Sequence, residues 1–229
     1  MIAENIENIR RRIDLACQKS GRSPSEVTLV AVSKTFSAEM IDEAVAGGIT
    51  DIGENYVQEL LKKRELVQSP NIRWHFIGHL QSNKIRYLIR WVHLIQTVDS
   101  IGLAREINRL AVGAGRTVDV LIEVNTTGEK GKFGVAPEQV AKLVNGMASC
   151  TNIRVYGLMT MGPFLPDPEG SRPMFRTLRI LKEEISSLPY ENVEMKHLSM
   201  GMTGDFEVAI EEGATIIRIG TAIFGPRRK

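Results

Sequence analysis

Short apolar runs alternate with longer amphipathic stretches along most of the chain. The runs are rich in Val, Ile and Leu, and each has the length of a β-strand buried on both faces. The eight strand candidates cover residues 27–34, 50–53, 73–78, 93–98, 118–125, 153–160, 194–199 and 215–220. The pattern therefore predicts eight strands.

The stretches between these runs read as α-helices. They cover residues 38–47, 55–67, 80–90, 101–114, 137–148, 172–188 and 205–212. A further amphipathic helix is predicted before the first strand, and Gly21 ends it. Its apolar residues recur at helical spacing: Ile2, Ile6, Ile9, Ile13 and Ala16.

Strand and helix alternating this regularly predict parallel strand pairing, because each helix returns the chain to the same end of the sheet. Eight such units in a chain of 229 residues predict an α/β fold, a single (β/α)8 TIM barrel over residues 1–229 with an extra N-terminal helix. An open, doubly wound sheet is the alternative. No Gly-x-Gly-x-x-Gly turn follows the first strand, which argues against a dinucleotide-binding version of that sheet.

One long irregular stretch follows the sixth predicted strand. Residues 162–170 contain three prolines and two glycines, which exclude a regular element. In a barrel this stretch lies on the active face, so it is either a lid over the site or a surface excursion.

Composition narrows the classes of function. The 29 Lys and Arg residues nearly balance the 27 Asp and Glu residues, so there is no broad positive field for nucleic acid or an anionic membrane surface. We expect the basic ending at 226–229 to be a solvated tail.

No signal peptide is expected, and no apolar run approaches the roughly 18 residues of a membrane span. With Cys17 and Cys150 expected to be reduced thiols, the protein is predicted to be cytoplasmic.

Lys34 lies at the carboxyl end of the first apolar run, where the strand leaves the core. An ammonium taken out of water without a partner is costly, so such a group tends to release its proton. The neutral amine is a nucleophile that forms a Schiff base with an aldehyde. The alternative is a lysine whose stem packs on the core while its charged head reaches solvent.

The carboxyl ends of barrel strands meet at one face, where barrel active sites lie. Lys34 follows the first strand and is expected among polar neighbours there. The other residues at or after strand ends are Asn55, His79, Asn125, Met159, Met161, Ser199, Gly201, Gly220 and Thr221.

The last two strands lead into helices through glycine turns at 199–205 and 219–225. Glycine lets the backbone approach a ligand closely, and amides at the start of a helix favour an anion. Barrels often bind phosphate with these two loops, so the turns predict a phosphate site. Glycine is also ordinary at strand-to-helix turns, which leaves a purely structural role open.

Arg218 lies inside the eighth apolar run among β-branched residues. Its guanidinium stays charged and needs an acceptor, either a ligand atom or a carboxylate on a neighbouring strand.

The four histidines show no metal-ligand spacing, and no metal site is predicted. His79 is placed near the active face. His75, His93 and His197 lie in strands and are interpreted as hydrogen-bonded packing residues.

Six sequence blocks resemble the pyridoxal phosphate homeostasis protein family, which is related to the barrel domain of alanine racemase, a fold type III protein. The blocks are VAVSKT at 30–35, IGENYVQE at 52–59, WHFIGHLQSNK at 74–84, GLMTM at 157–161, HLSMGMTGDFEVAI at 197–210 and RIGTAIFG at 218–225. They occur in the right order over essentially the whole chain. The resemblance implies the same barrel that the strand count predicts.

The resemblance also implies a cofactor and the residues that hold it. Lys34 would form a Schiff base, the internal aldimine, with pyridoxal 5′-phosphate (PLP). Arg218 would face the pyridine nitrogen, and Asn55 would lie near the ring. The phosphate would be cradled by four residues of the last two turns, Ser199, Gly201, Gly220 and Thr221. Two further residues would line the pocket, His79 and Met159.

A permanently charged arginine beside the pyridine nitrogen leaves that nitrogen unprotonated and makes the ring a weak electron sink. Transamination and decarboxylation are therefore disfavoured. Racemisation tolerates an arginine but needs a second acid/base on the opposite ring face. In the racemases that look similar, this group is a tyrosine from a further C-terminal domain of the partner subunit, whereas this chain ends four residues after Gly225. None of the four tyrosines is predicted to replace it: Tyr56, Tyr87, Tyr156 and Tyr190.

Three functions remain as hypotheses. The first, favoured reading is a protein without established catalysis that holds PLP as a lysine aldimine, limits free aldehyde and hands the cofactor to PLP-dependent apoenzymes. The second is a PLP-dependent, racemase-like enzyme with Lys34 as one base. The third is a cofactor-free barrel that acts on phosphorylated sugars, with Lys34 as an aldolase-type nucleophile. Because the second racemase domain and its dimer surface are not expected, we predict a monomer.

Overall fold

A closed barrel of eight parallel strands forms the centre of the protein. The computed structural model describes residues 1–129, 131–163 and 165–226. The strands follow one another around the barrel in chain order, and β8 pairs with β1 to close it. They are β1 (Thr28–Val32), β2 (Asp51–Glu54), β3 (Arg73–Phe76), β4 (Leu94–Val98), β5 (Val118–Glu123), β6 (Ile153–Met159), β7 (Val193–Ser199) and β8 (Ile216–Ile219). The predicted (β/α)8 TIM barrel is confirmed, and each predicted strand overlaps an observed one.

Helices cover the outside of the barrel. They are α1 (Ile2–Lys19), α2 (Ala38–Ala46), α3 (Val57–Leu66), α4 (Ile101–Ala114), α5 (Val140–Met147), α6 (Arg172–Ser186), α7 (Phe206–Glu211) and α8 (Thr221–Phe224). The predicted N-terminal helix is confirmed as α1, which packs against α2, α7 and α8. The amide of Asn5 donates to the carbonyl of Ile223 at 2.9 Å, so α1 is also tied to the end of the last strand–helix unit.

The prediction of an α-helix at 80–90 is wrong, because only a 3₁₀-helix over Ser82–Tyr87 forms there. The guanidinium of Arg116 donates to the carbonyl oxygen of Ile89, near the end of this segment, at 3.2 Å and to that of Val92, just after it, at 3.0 Å. Tertiary hydrogen bonds thus satisfy carbonyls at the end of this segment, which sequence periodicity alone does not anticipate.

The barrel separates two apolar layers. The larger layer lies between the strands and the surrounding helices, and the isoleucines of α1 extend it. The smaller layer fills the inside of the barrel with the side chains Val30, Leu94, Leu121, Met159 and Ile216. Because a strand of this kind is buried on both faces, it reads as a continuous apolar run.

The irregular stretch at 162–170 leaves the carboxyl mouth of the barrel, and most of its described residues are exposed. Its end forms a 3₁₀-helix, Pro168–Ser171, and the Ser171 hydroxyl donates to Asp205 Oδ2 at 2.9 Å. This tie fixes the end of the stretch to the turn after β7. Phe164 lies outside the described residues, and the choice between lid and surface excursion stays a prediction.

Both cysteines are buried free thiols. Within the described part of the chain, every helix is too short or too polar to cross a membrane. Residues 227–229, which make up most of the predicted solvated tail, lie outside the described ranges.

Gly157 marks an irregular point in the sheet, where the register between β6 and β7 shifts. Its φ of +148° is disfavoured for other residues, and a Cβ there would collide with the carbonyl of His197. We expect Gly157→Ala to lower the free energy of unfolding by at least about 2 kcal/mol. Urea unfolding followed by circular dichroism measures this change.

The matched control is Gly113→Ala in α4, where an added Cβ meets no atom within 4 Å. That change should raise the free energy of unfolding by up to about 1 kcal/mol, since alanine favours helix. Equal effects of the two substitutions would contradict the role assigned to Gly157.

Candidate functional site

A cavity of about 320 Å³ opens at the carboxyl mouth of the barrel. Its size is that of a small-molecule site, which typically measures about 300–1,000 Å³. Eleven residues from six strand ends line it: Val32, Lys34, Asn55, Ile77, Met161, Met202, Thr203, Gly204, Arg218, Gly220 and Thr221. The lining combines an amine, a guanidinium, an amide and two glycine turns with an apolar wall.

Lys34 enters this cavity from a turn directly after β1 and is half-buried. The next residue, Thr35, has a φ of +70°, a left-handed conformation that β-branched residues rarely adopt. The turn ends where Ser37 precedes α2. A residue held in such a conformation must be stabilised by its surroundings, and strained backbone of this kind is concentrated at functional sites.

The turn after β7 contributes the opposite wall. Gly201 has a φ of +93°, and a Cβ there would come within 2.6 Å of the Cβ of Ala209, so only glycine fits. The amide of Met202 donates to Asp205 Oδ1 at 2.7 Å, which fixes the curve of the turn. Thr203 and Gly204 of this turn then face the cavity.

The turn after β8 lies beside it. Gly220 and Thr221 both line the cavity. A Cβ on Gly220 would lie 3.4 Å from the carbonyl oxygen of Val32, the last residue of β1. The two glycine turns that the sequence singled out are therefore brought together with Lys34 around one cavity.

Arg218 forms part of the cavity floor and is only 4% exposed. Its guanidinium donates to Ser199 Oγ at 2.6 Å and to the carbonyl oxygen of Thr160 at 2.8 Å. Burial lowers the pKa of Arg218 to about 10, partly offset by the charges of Glu123 and Asp205. The group stays protonated at neutral pH, so a buried positive charge lies at the floor of the cavity.

A chain of buried hydrogen bonds continues from Arg218 into the barrel. Ser199 Oγ lies 2.7 Å from Gln96 Oε1, and Gln96 Nε2 lies 2.9 Å from His75 Nδ1. An arginine can only donate, so Ser199 accepts from it and passes its own proton to Gln96. The Gln96 amide must then donate to His75 Nδ1.

This direction places the histidine proton on Nε2, which faces Asp51 Oδ1 at 2.9 Å. Asp51 also accepts two hydrogen bonds from Arg73, at 2.8 and 2.5 Å. Burial alone would raise the pKa of Asp51, but hydrogen bonds from His75, Arg73 and Thr50 outweigh it and lower the pKa. Every bond therefore points one way, from the guanidinium of Arg218 to an ionised carboxylate at the opposite mouth.

The fold also brings potential metal ligands together at that opposite mouth. Atoms of Asp51, His75 and His93 lie within 4.8 Å of one another. His75 Nε2 carries a proton, and Asp51 already accepts two hydrogen bonds from Arg73. The cluster is therefore an ion-paired hydrogen-bond network. That no metal binds this protein stays a prediction.

Of the nine residues predicted to hold a cofactor, five line the cavity: Lys34, Asn55, Arg218, Gly220 and Thr221. The other four are placed elsewhere. Ser199 and Gly201 are buried behind the lining, and Met159 belongs to the apolar layer inside the barrel. His79 is 41% exposed at the side chain, stacks on Phe133 with ring centroids 4.1 Å apart, and has Nδ1 3.8 Å from Asp99.

Met161 also lines the cavity and was predicted only as a strand-end residue, and the other five lining residues were not predicted at all: Val32, Ile77, Met202, Thr203 and Gly204. Three of them belong to the glycine turn at 199–205, so the glycine motif in the sequence already indicated this part of the cavity. Val32 and Ile77 are apolar strand-end residues, and sequence offers no means to tell a cavity wall from core.

Asn55 provides a test of whether this cavity suits a polar ligand. Its side-chain oxygen is buried and has no hydrogen-bond partner among the described residues. A buried acceptor without a donor costs free energy, which a ligand donor in the cavity would recover. A cavity with an orphaned acceptor, an amine and a guanidinium fits an aromatic aldehyde that carries polar substituents.

Comparisons with known proteins agree with this geometry. The family model for the alanine racemase N-terminal domain matches residues 4–228. The pyridoxal phosphate homeostasis protein of Aquifex aeolicus is 47% identical over 225 residues, which cover 98% of each chain. The structure of PipY from Synechococcus elongatus with PLP bound has a TM-score of 0.82 at 33% identity, covering 98% of this chain and 100% of that one.

An alanine racemase from Clostridium difficile has a TM-score of 0.73 at 11% identity. The likeness covers 96% of this chain and 56% of the racemase chain, and at this identity it shows a shared fold alone.

Glu123 at the end of β5 is a buried carboxyl group near the floor of the cavity. Its Oε2 atom has no hydrogen-bond partner among the described residues. Burial, with a contribution from Asp99 and partly opposed by Arg218, raises the pKa of Glu123 from 4.5 to about 7. The folded protein therefore binds this proton more tightly than the unfolded chain does.

Because the folded pKa is raised, the contribution of Glu123 to the free energy of unfolding should fall as pH rises from 4.5 to about 7. Glu123→Gln should then raise the free energy of unfolding at pH 8 by up to about 3 kcal/mol, at ~1.4 kcal/mol per pKa unit, and change it little at pH 5. Urea unfolding at both pH values measures this. The exposed Glu191→Gln should show no such pH dependence; an equal response of the two variants would refute the assignment.

Proposed function

The chain belongs to the family of alanine racemase N-terminal domains and, within it, to the pyridoxal phosphate homeostasis proteins, and we propose that it holds PLP as an aldimine of Lys34. In this role it limits free reactive aldehyde and passes the cofactor on. The observation that carries the proposal is the meeting of Lys34, both glycine turns and Arg218 around one cavity.

The cavity provides one group for each part of the cofactor. Lys34 supplies the amine that binds the aldehyde carbon. Gly220 and Thr221, supported by the turn at 199–204, receive the phosphate, because glycine allows close approach of backbone amides. Arg218 would face the pyridine nitrogen, and Asn55 would accept a hydrogen bond from a polar ring substituent.

We propose for Ser199 a role other than the phosphate contact that the resemblance implied. Its hydroxyl accepts from Arg218 and donates to Gln96. In our proposal it orients the guanidinium from behind, and the phosphate is left to the turns on the cavity surface. Gly201 likewise acts through the shape of its turn.

Arg218 also sets the chemistry available to the bound cofactor. PLP supplies an aldehyde and, when its pyridine nitrogen is protonated, an electron sink. A guanidinium that already donates to Ser199 and Thr160 holds its charge and has no proton to lend, so this sink stays weak. Holding the cofactor therefore suits this site better than turning over amino acids.

The tyrosines point the same way. All four lie in the described part of the chain, and none lines the cavity: Tyr56, Tyr87, Tyr156 and Tyr190. Tyr56 is 61% exposed, and Tyr156 lies in a cleft at the opposite mouth with Asp51 and His75. A racemase-like enzyme, the alternative function, would need a second acid/base group that the cavity wall does not supply.

The proposed partners follow from this role. PLP-dependent apoenzymes would receive the cofactor from a monomeric barrel that acts as one PLP-binding domain. No nucleic acid or membrane is required.

Purified protein mixed with PLP should develop an imine absorbance band, and borohydride should fix one pyridoxyl phosphate group on Lys34 by mass spectrometry. Lys34→Ala should abolish both signals, because it removes the amine. The exposed Lys62→Ala should retain both. A wild-type chain that takes up no PLP would reject the proposal, whereas tight uptake would exclude a cofactor-free aldolase.

The racemase alternative is tested by incubating loaded protein with single-enantiomer amino acids in deuterated water. We expect no steady incorporation of deuterium at the α-carbon, since the cavity has one base and a weak electron sink. Steady incorporation that Lys34→Ala abolishes would support the enzyme instead.

A further inference from the structure

Lys63 is a buried cation that the proposed function leaves without a role. It projects from α3, and its side chain is 7% exposed. Its ammonium donates to Glu54 Oε1 at 2.6 Å, to Glu59 Oε1 at 2.7 Å and to the carbonyl oxygen of Ser33 at 2.6 Å. All three N–H donors of the ammonium are therefore used.

These acceptors reach both neighbours of Lys34 in the sequence. On one side, Ser33 accepts from Lys63 through its carbonyl and donates from its hydroxyl to Glu54 at 2.5 Å. On the other side, the amide of Thr35 donates to Glu59 Oε1 at 2.6 Å. One ammonium thus ties down the backbone before and after the amine that enters the cavity.

The tie to Thr35 falls at the strained residue of the turn. A threonine at φ +70° is costly and persists only where contacts hold it. The Glu59 carboxylate accepts from this amide while it pairs with Lys63, so the hydrogen bond is charge-assisted. Loss of that contact should allow the turn to relax and carry Lys34 away from its present direction.

A buried ion network is a weak source of stability, because desolvation of the charges offsets their attraction. Glu54 illustrates this cost: burial raises its pKa, which Lys63 and Ser33 only partly counter, and its Oε2 has no partner among the described residues. What the network provides is a fixed position for the backbone that it contacts. It links α3 and the end of β2 to the turn after β1, and these elements carry Lys34 and Asn55.

We propose that Lys63, Glu54 and Glu59 form a positioning clamp that holds the turn at 33–35 and so aims the amine of Lys34 into the cavity. The inference rests on the proposed function of Lys34 and adds the residues that prepare it. None of the three clamp residues lines the cavity.

The test uses Glu59→Ala, because Glu59 is 25% exposed at its side chain and its loss leaves Lys63 with two acceptors. We expect at least tenfold weaker binding of PLP. Pyridoxine 5′-phosphate, which has an alcohol in place of the aldehyde, should bind within twofold of wild type, since it needs the phosphate turns but not the amine. The matched control is Glu65→Ala, an exposed glutamate on the same helix, which should leave both affinities unchanged.

Thr35→Gly supplies the rescue. Glycine adopts a positive φ without strain, so the double variant with Glu59→Ala should recover most of the lost PLP affinity. A readout without cofactor accompanies it: labelling of Lys34 by trinitrobenzenesulfonate, followed by peptide mass spectrometry. Glu59→Ala should label several-fold faster than wild type, and the double variant should return towards the wild-type rate.

Wild-type affinity for PLP in Glu59→Ala would overturn the clamp. So would an equal loss of pyridoxine 5′-phosphate, which indicates general damage to the cavity, or a double variant without rescue. If wild type itself binds no PLP, the proposed function fails, and the labelling rates of the apo proteins still decide whether the clamp exists.

Discussion

The pairing of β8 with β1 is the constraint on which the rest of this protein depends. In that parallel register Val30 lies opposite Arg218 and Ala31 opposite Ile219. Both chains then leave the sheet at the same mouth, so the turn with Lys34 and the turn with Gly220 bound one cavity. Had these two strands remained unpaired edges, Lys34 and the glycine turn at Gly220 would not line the same cavity.

Arg218 is the second determinant, because a charged guanidinium in a barrel interior needs acceptors for its N–H donors. The fold supplies two neutral oxygens, one on β7 and one directly after β6, and then extends the hydrogen bonds from Ser199 through Gln96 and His75 to Asp51. The guanidinium of Arg218 can only donate, and the ionised carboxylate of Asp51 can only accept. Together they fix which atom is the donor in each hydrogen bond between them. The guanidinium at the floor of the cavity is therefore linked by hydrogen bonds to residues at the far side of the barrel.

The buried charged groups of this protein are better explained by the positions that they fix than by the stability that they add. Arg218, Lys63 and Glu54 are nearly or fully buried, and their ion pairs and hydrogen bonds mainly repay the loss of water. These contacts fix the positions of the groups at the cavity. Arg218 is held against the floor of the cavity, and the two partners Glu54 and Lys63 grip the turn from which Lys34 emerges.

The sequence by itself determined the parallel pairing of eight strands, because eight short apolar runs separated by amphipathic helices are typical of it, and it favoured a closed barrel over an open sheet. It also singled out Lys34, Arg218 and the two glycine turns, since an amine at a strand end, a cation inside a strand and repeated glycines are visible as local departures from the apolar rhythm. Only the tertiary structure decided that Ser199 lies behind Arg218 and that His79 lies outside the cavity lining. It likewise showed a 3₁₀-helix over Ser82–Tyr87 in place of the α-helix predicted at 80–90. These outcomes depend on which side chain across the barrel supplies a donor or an acceptor, and spacing along one strand contains no information about its distant neighbours.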